Sequence, residues 1–350
     1  VSKLVGTTAG LGGYRRSTLA KRTTLIDQFL QTHGWADAER HPLPGDASFR
    51  RYIRLNLKDK KALAMDAPPP LESVQPFVSI ARHLCALGFS APEIIAEDVA
   101  HGLLLIEDFG EDTFTHLLNN GANEEELYTL ATDTLIELHR KPGAIPENLA
   151  PYNDFCMIDE AALFADWYLP AIDVSPSLRK GYAMAWFECF HLLGGQPQTL
   201  VLRDYHVDNL MKLSGRNRIQ ACGLLDFQDA LAGPSAYDVM SLLDDARRDI
   251  AEPLRLKMLN RYCDAFPKND RAAFETAFAI LGAQRHAKVI GIFTRLCWRD
   301  NKTIYLKHIP RVWRLLERSL QHPALFAVAN WFDRYIPTAK RIIPPKPSDV

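Results

Sequence analysis

What this 350-residue chain lacks narrows its function before any motif is read. No apolar run approaches the ~18 residues that a membrane span requires, so no membrane partner is expected. Basic and acidic residues nearly cancel, 41 against 42, for a net charge of −1. There is thus no basic excess of the kind that marks nucleic-acid binding, although a local basic cleft for phosphate is still allowed. The six cysteines (Cys85, Cys156, Cys189, Cys222, Cys263 and Cys297) are scattered and form no C-x-x-C pair. That gives neither a zinc site nor a disulfide framework, and fits buried thiols in a reducing cytoplasm. There are no internal repeats. Residues 1–20 are rich in Gly, Ser and Thr but lack the apolar core of a signal peptide. A flexible leader over 1–22 and an extended, Pro-rich tail over 341–350 are expected.

Apolar residues make up 47% of the chain, enough for one large domain or two lobes. The first part reads as strand-rich. A short helix over 23–32 precedes a Pro/Gly connection over 41–47. Residues 49–57 and 62–65 then form a β-hairpin about Lys58-Asp59-Lys60. A helix follows over 72–87, with strands over 93–97 and 103–107. From residue 124 helical periodicity takes over: 124–139, 160–168, 177–193, 237–249, 254–266, 271–298 and 309–320. The expected fold class is α+β, with a β-rich N-lobe over 23–112 and a larger, mainly helical C-lobe over 113–340. A nucleotide is expected at the junction.

The most informative stretch is Leu202-Arg203-Asp204-Tyr205-His206-Val207-Asp208-Asn209, followed by Asp226-Phe227-Gln228-Asp229. An Asp, an Asn five residues later, and a second Asp after an apolar run are the carboxylate and amide set of a kinase-type phosphoryl-transfer site. Asp204 would accept the proton of an attacking hydroxyl. Asn209 and Asp226 would hold Mg2+, whose hard-oxygen preference they suit. Thr199 to Leu202 reads as a buried strand that delivers Asp204 to a loop. Residues 210–213 and 219–227 read as a hairpin about Ser214 to Arg218, which would return Asp226 to Asn209. Taken singly, each motif is an ordinary turn; the ordered set is what carries the reading.

This arrangement resembles the protein-kinase-like fold, and more closely the aminoglycoside phosphotransferase and choline kinase group. His206 follows the base by two residues as in that group, no A-P-E motif follows Asp226, and Tyr237-Asp238 opens the next helix. Five further segments are similar to the bacterial anomeric amino-sugar kinases of cell-wall recycling: Gly45 to Tyr52, Met65-Asp66-Ala67-Pro68-Pro69, Leu104 to Gly110, Asp226 to Ala230, and Gly291 to Leu296. The resemblance runs from about residue 45 to 320. It implies an ATP-dependent kinase for the anomeric hydroxyl of N-acetylmuramate and N-acetylglucosamine, monomeric and cytoplasmic. It also implies a phosphate-cradling turn at Gly45, Asp46 and Ser48, and adenine contacts at Glu107, Asp108 and Phe109. His206 and Asp238 would support the catalytic loop. Asp229, Glu160, Trp167 and Arg203 are candidates for the sugar, against ordinary readings as surface charge, core aromatic or loop salt bridge.

Two departures from the wider fold stand out. Met65 lies where a phosphate-pairing Lys is usual, leaving Arg51 or Lys61 to supply the charge. Leu202 lies where a loop-organising His is usual. These departures favour a nucleotide-binding pseudokinase; intact Asp204, Asn209 and Asp226 oppose it. A phosphotransferase for an aminoglycoside or choline-like alcohol is the other alternative.

Overall fold

The computed structural model describes residues 21–44 and 50–347. Gly45, Asp46 and Ser48, and the leader before residue 21, lie outside the described residues. The chain divides into two compact units, residues 1–86 with 91–110, and residues 87–90 with 111–350. Among the described residues no helix is long and apolar enough to cross a membrane.

In the first unit, helix α1 (residues 21–32) precedes strands β1 (Glu39–Pro42), β2 (Arg51–Leu57) and β3 (Lys60–Asp66). Helix α2 (Gln75–Ala86) and strands β4 (Ile94–Asp98) and β5 (Leu103–Ile106) complete it. The strands form one antiparallel sheet in the order β1-β2-β3-β5-β4. Strand β1 starts two residues before the expected connection over 41–47 and runs into it. Its exposed residues carry no alternating pattern from which to read a strand. Alternation sets the faces: Leu55, Ala62, Ala64, Leu103 and Leu105 form a core with Ile26, Phe29 and Leu30 of α1. Met65, opposite Leu104 in the ladder, is buried on the other face. A charged side chain there would need a partner, and Met needs none.

The second unit is mainly helical: α3 (Phe114–Asn119), α4 (Glu124–Arg140), α5 (Asp154–Leu163), α6 (Leu169–Ala171), α7 (Arg179–Phe190), α8 (Ala236–Leu243), α9 (Glu252–Asp264), α10 (Arg271–Trp298), α11 (Ile309–Leu320) and α12 (Phe326–Tyr335). Helix α10 is its axis and packs against α5, α8 and α11. The helix expected over 160–168 begins earlier, because the Asn153 side chain caps it by accepting from the Cys156 N–H. It then widens into a π-helical turn over Phe164–Tyr168. There Gly291 of α10 meets the Leu163 backbone so closely that a Cβ would fall 2.3 Å from its carbonyl atoms. Phe164, Tyr168, Trp313 and Phe332 pack around this turn. The helix expected over 237–249 stops at Leu243. Asp244 leaves helical geometry, and Arg255 and Arg318 hold its buried carboxylate.

Candidate active site

Four short strands of the second unit build the site. Strand β6 (Gln198–Val201) leads into the loop holding Asp204, and β7 (Leu210–Lys212) leaves it. Strand β8 (Cys222–Leu224) leads into the loop holding Asp226, and β9 (Leu231–Pro234) leaves that one. Because β7 pairs with β8 and β6 pairs with β9, each loop is bounded by strands whose partners bound the other. Asn209 falls opposite Leu225, whose N–H donates to the Asn209 carbonyl at 3.0 Å, and Asp226 is the next residue. The second arm of the hairpin is shorter than expected, since Arg218–Ala221 forms a 3-10 turn with Arg218 at φ +50°. Strand β9 was not foreseen: a Gly and a Pro in four residues hide it.

Two site residues adopt left-handed backbone, Arg203 at φ +69° and Asp226 at φ +56°, a conformation costing about 1–3 kcal/mol for a residue with a side chain. Asp238 holds the first in place. Its buried carboxylate accepts the Leu202 N–H at 2.6 Å and the Arg203 N–H at 3.0 Å. Burial pushes that carboxyl up to about 7, although the two N–H groups and Arg285 pull the other way.

Asp204 is partly exposed and accepts from Arg285 Nη2 at 3.2 Å through Oδ1. Burial of the site opposes its charge, but Arg285, Lys288, His206 and Arg203 together hold it well below the usual carboxylate range. Asn209 Nδ2 donates to the Asp204 carbonyl at 3.0 Å, which turns Oδ1 into the end that would meet a cation. Asp226 is exposed, with Gln228 Nε2 2.9 Å from one oxygen. Among the described residues, no three His, Cys, Asp or Glu side chains cluster as a metal cage. His206 is buried, 3.0 Å from Arg247 Nη1, and burial lowers its pKa.

Glu160 is neither a surface charge nor an open ligand. Its carboxylate takes Tyr152 Oη at 2.5 Å, Gln284 Nε2 at 3.1 Å, Lys288 Nζ at 2.8 Å and the Arg203 guanidinium, and four donors fill its acceptor capacity. Burial opposes its charge, yet Lys288 and Arg203 hold its pKa at about 2. Arg203 also donates to the Asp229 carbonyl at 3.2 Å, while the Asp229 side chain faces solvent. Trp167 is half-buried on the π-helical turn. Sequence reading missed Tyr152, Gln284, Arg285 and Lys288. For the three on α10 the available signal was a Gln-Arg-His-Ala-Lys run flanked on both sides by apolar residues, 277–283 and 289–293.

In the first unit, Arg51 is half-exposed and pairs with the buried Asp66, which also takes Arg22 Nη2 at 2.6 Å. Lys61 is exposed, four residues before Met65 on β3. Asp108 makes a two-pronged pair with Arg54, at 2.7 and 3.2 Å. The Glu107 N–H donates to the Glu93 carbonyl at 2.9 Å, and Phe109 is half-buried.

The model of the APH phosphotransferase enzyme family matches residues 39–275, about two-thirds of the chain. The chain belongs to this family. The phosphotransferase is 34% identical to an N-acetylmuramate/N-acetylglucosamine kinase of Caulobacter vibrioides, over 89% of this chain and 96% of that protein. It is 39% identical to a protein of the same name from Pseudomonas aeruginosa, over 84% and 88%. Its fold is that of a choline/ethanolamine kinase family protein from Mesorhizobium loti, at TM-score 0.58 and 14% identity over 89% and 98% of the two chains. The ADP-bound aminoglycoside phosphotransferase APH(2'')-Ib aligns at TM-score 0.56 and 16% identity, over 85% and 97%.

Proposed function

We propose that this phosphotransferase moves the γ-phosphoryl group of ATP to the anomeric hydroxyl of N-acetylmuramate and N-acetylglucosamine. The observation that carries the reading is the paired-strand frame that brings the Asp204 and Asp226 loops together. Asp204 is the base. Arg285 occupies Oδ1, so Oδ2 is left for the acceptor hydroxyl. A carboxylate held this acidic is a weak base, which suits a loose transition state in which positioning counts for more than proton affinity. Asn209 Oδ1 and Asp226 are the residues that would hold magnesium, with phosphate oxygens and water filling the other positions. Bound there, the ion would offset charge on the transferring group. His206 and Asp238 serve the loop rather than the substrate.

For the nucleotide we infer roles for Gly45, Asp46 and Ser48 through their backbone, and for Glu107, Asp108 and Phe109. The choice of sugar rests on the relatives, which match more than four-fifths of this chain at 34–39% identity. We also propose that it acts as a monomer in the cytoplasm. The test is phosphate transfer from radiolabelled ATP with magnesium to N-acetylmuramate, N-acetylglucosamine, glucose, kanamycin and choline in parallel. An acid-labile product with the two N-acetyl sugars is expected. Transfer to kanamycin or choline in their place would overturn the acceptor assignment.

A further inference from the structure

Arg285 lies in the middle of α10, 7% exposed, among residues that are buried on every side of the helix. A guanidinium there is costly unless each of its contacts is met. Its Nη1 donates to the Arg203 carbonyl at 2.9 Å and to Tyr237 Oη at 3.2 Å, and its Nη2 to Asp204 Oδ1 at 3.2 Å. The Tyr237 ring lies against the guanidinium, 5.7 Å from centroid to Cζ. Two of the three acceptors belong to the loop that carries the base.

The loop cannot organise itself from Leu202, whose side chain is buried and has no hydrogen-bonding atom. Asp238 fixes the N–H of Arg203, and Arg285 fixes its carbonyl. The left-handed residue before the base is therefore clamped on both sides from two different helices. The same guanidinium then reaches on to the carboxylate itself. From this geometry we propose that Arg285 is the positioning residue of the transfer: it holds Asp204 Oδ1 so that Oδ2 is presented to the acceptor hydroxyl, and it acts only through Asp204. The proposal rests on Asp204 being the base. The other charged groups about Asp204 are Arg203 and His206 on its own loop, Lys288 on α10 and Asp238 on α8. Arg285 is the one of these that bonds its carboxylate.

The test compares Arg285→Met and Arg285→Lys with Asp204→Asn and with the double variant Asp204→Asn/Arg285→Met, all in the full chain. Arg285→Met is expected to lower kcat about 100-fold, the scale of a misplaced reacting group, with KM for ATP unchanged within about threefold. Arg285→Lys, which keeps charge but not the forked geometry, restores part of the rate. The double variant loses no more than Asp204→Asn alone. A kcat within threefold of native in Arg285→Met, a parallel loss of ATP affinity, or additive losses in the double variant would overturn the proposal.

A crystal structure of Arg285→Met reads the same positioning without any acceptor. The Asp204 carboxylate is expected to leave the orientation it holds in the native chain, and an unmoved carboxylate overturns the proposal. If the native chain phosphorylates none of the sugars, the acceptor assignment falls and this structure still decides the positioning. If Arg285→Met loses its cooperative thermal transition, Tyr237→Phe serves instead, because it removes one anchor of the guanidinium and keeps the charge. Its structure should show a smaller displacement of the Asp204 carboxylate, and none overturns the proposal.

Discussion

Replacing Glu160 by Gln removes the negative charge from a nearly buried carboxylate and leaves Lys288 and Arg203 facing a neutral amide. The size of the loss follows from the pKa. Glu160 is held at about 2 against an ordinary 4.5, and each tenfold change in proton affinity is worth about 1.4 kcal/mol. The charged form therefore contributes about 3 kcal/mol to the second unit at neutral pH, in line with the roughly 3–5 kcal/mol lost when one partner of a buried pair is removed. Because the folded pKa is depressed, this contribution is complete above the unfolded value near 4.5 and is lost as pH falls through about 2. At pH 3 less than half should remain, roughly 1–1.5 kcal/mol. The assay is thermal unfolding of the native and Glu160→Gln chains at pH 7 and pH 3. At pH 7 the variant should melt about 10 °C lower, using a few degrees per kcal/mol for a unit of this size, and the gap should narrow sharply at pH 3. A loss below about 1 kcal/mol at pH 7, or one of equal size at both pH values, would refute the claim that the Glu160 charge stabilises the fold through Lys288 and Arg203.

Asp204→Ala should cut turnover by about a thousandfold or more while calorimetric ATP affinity changes little, since the base is not assigned to the nucleotide; loss of ATP binding would remove it from that role. Asp226→Asn and Asn209→Ala should each raise the magnesium concentration giving half-maximal rate about tenfold or more, because ligand charge and number set affinity; an unchanged requirement would unseat them. Gly291→Ala drives a methyl into the Leu163 backbone and should lower stability by about 1–3 kcal/mol or more by overpacking, read from the urea midpoint; a neutral result would mean that α10 and the π-helical turn separate freely.

The parts of the candidate site that were legible in the sequence are those whose partners lie close along the chain. Asp204, Asn209 and Asp226 stand on loops at strand ends, and the apolar runs before them announce the strands. The hairpin that brings Asn209 to Asp226 follows from one turn. Long helices were equally open: 309–320 carries a clean apolar stripe, 271–298 is a long run without a break, and both are helical over the expected residues. Strand β9 was hidden because its pairing with β6 depends on residues some thirty positions away, with no local alternation to signal it. Glu160 was read as a surface charge or sugar contact for the same reason: three of its partners (Arg203, Gln284 and Lys288) lie 43 to 128 residues further on.

The polar run in α10 shows where such a reading can be pushed further. A helix that is apolar all round is buried all round, and a buried charge or amide in it has to be met by a partner. At about 100° per residue, Gln284 and Lys288 point one way, Arg285 another and His286 a third. The three directions end on three different acceptors: Glu160, the Asp204 loop, and the Asp244 carbonyl at 3.0 Å. The helix therefore fixes α5, the base loop and the end of α8 at once. Its rule is readable from sequence, that each of these side chains must have a distant partner. The partners themselves are not, since nothing local distinguishes Glu160 or Asp244 from the other forty acidic residues. A site assembled this way passes a disturbance in one element to the others. That is why Glu160→Gln, beyond its effect on stability, should slow turnover several-fold through the freed Arg203 side chain, even though Glu160 bonds Arg203 and not Asp204; a variant that melts lower but turns over at the native rate at 20 °C would show that Arg203 holds its backbone without Glu160.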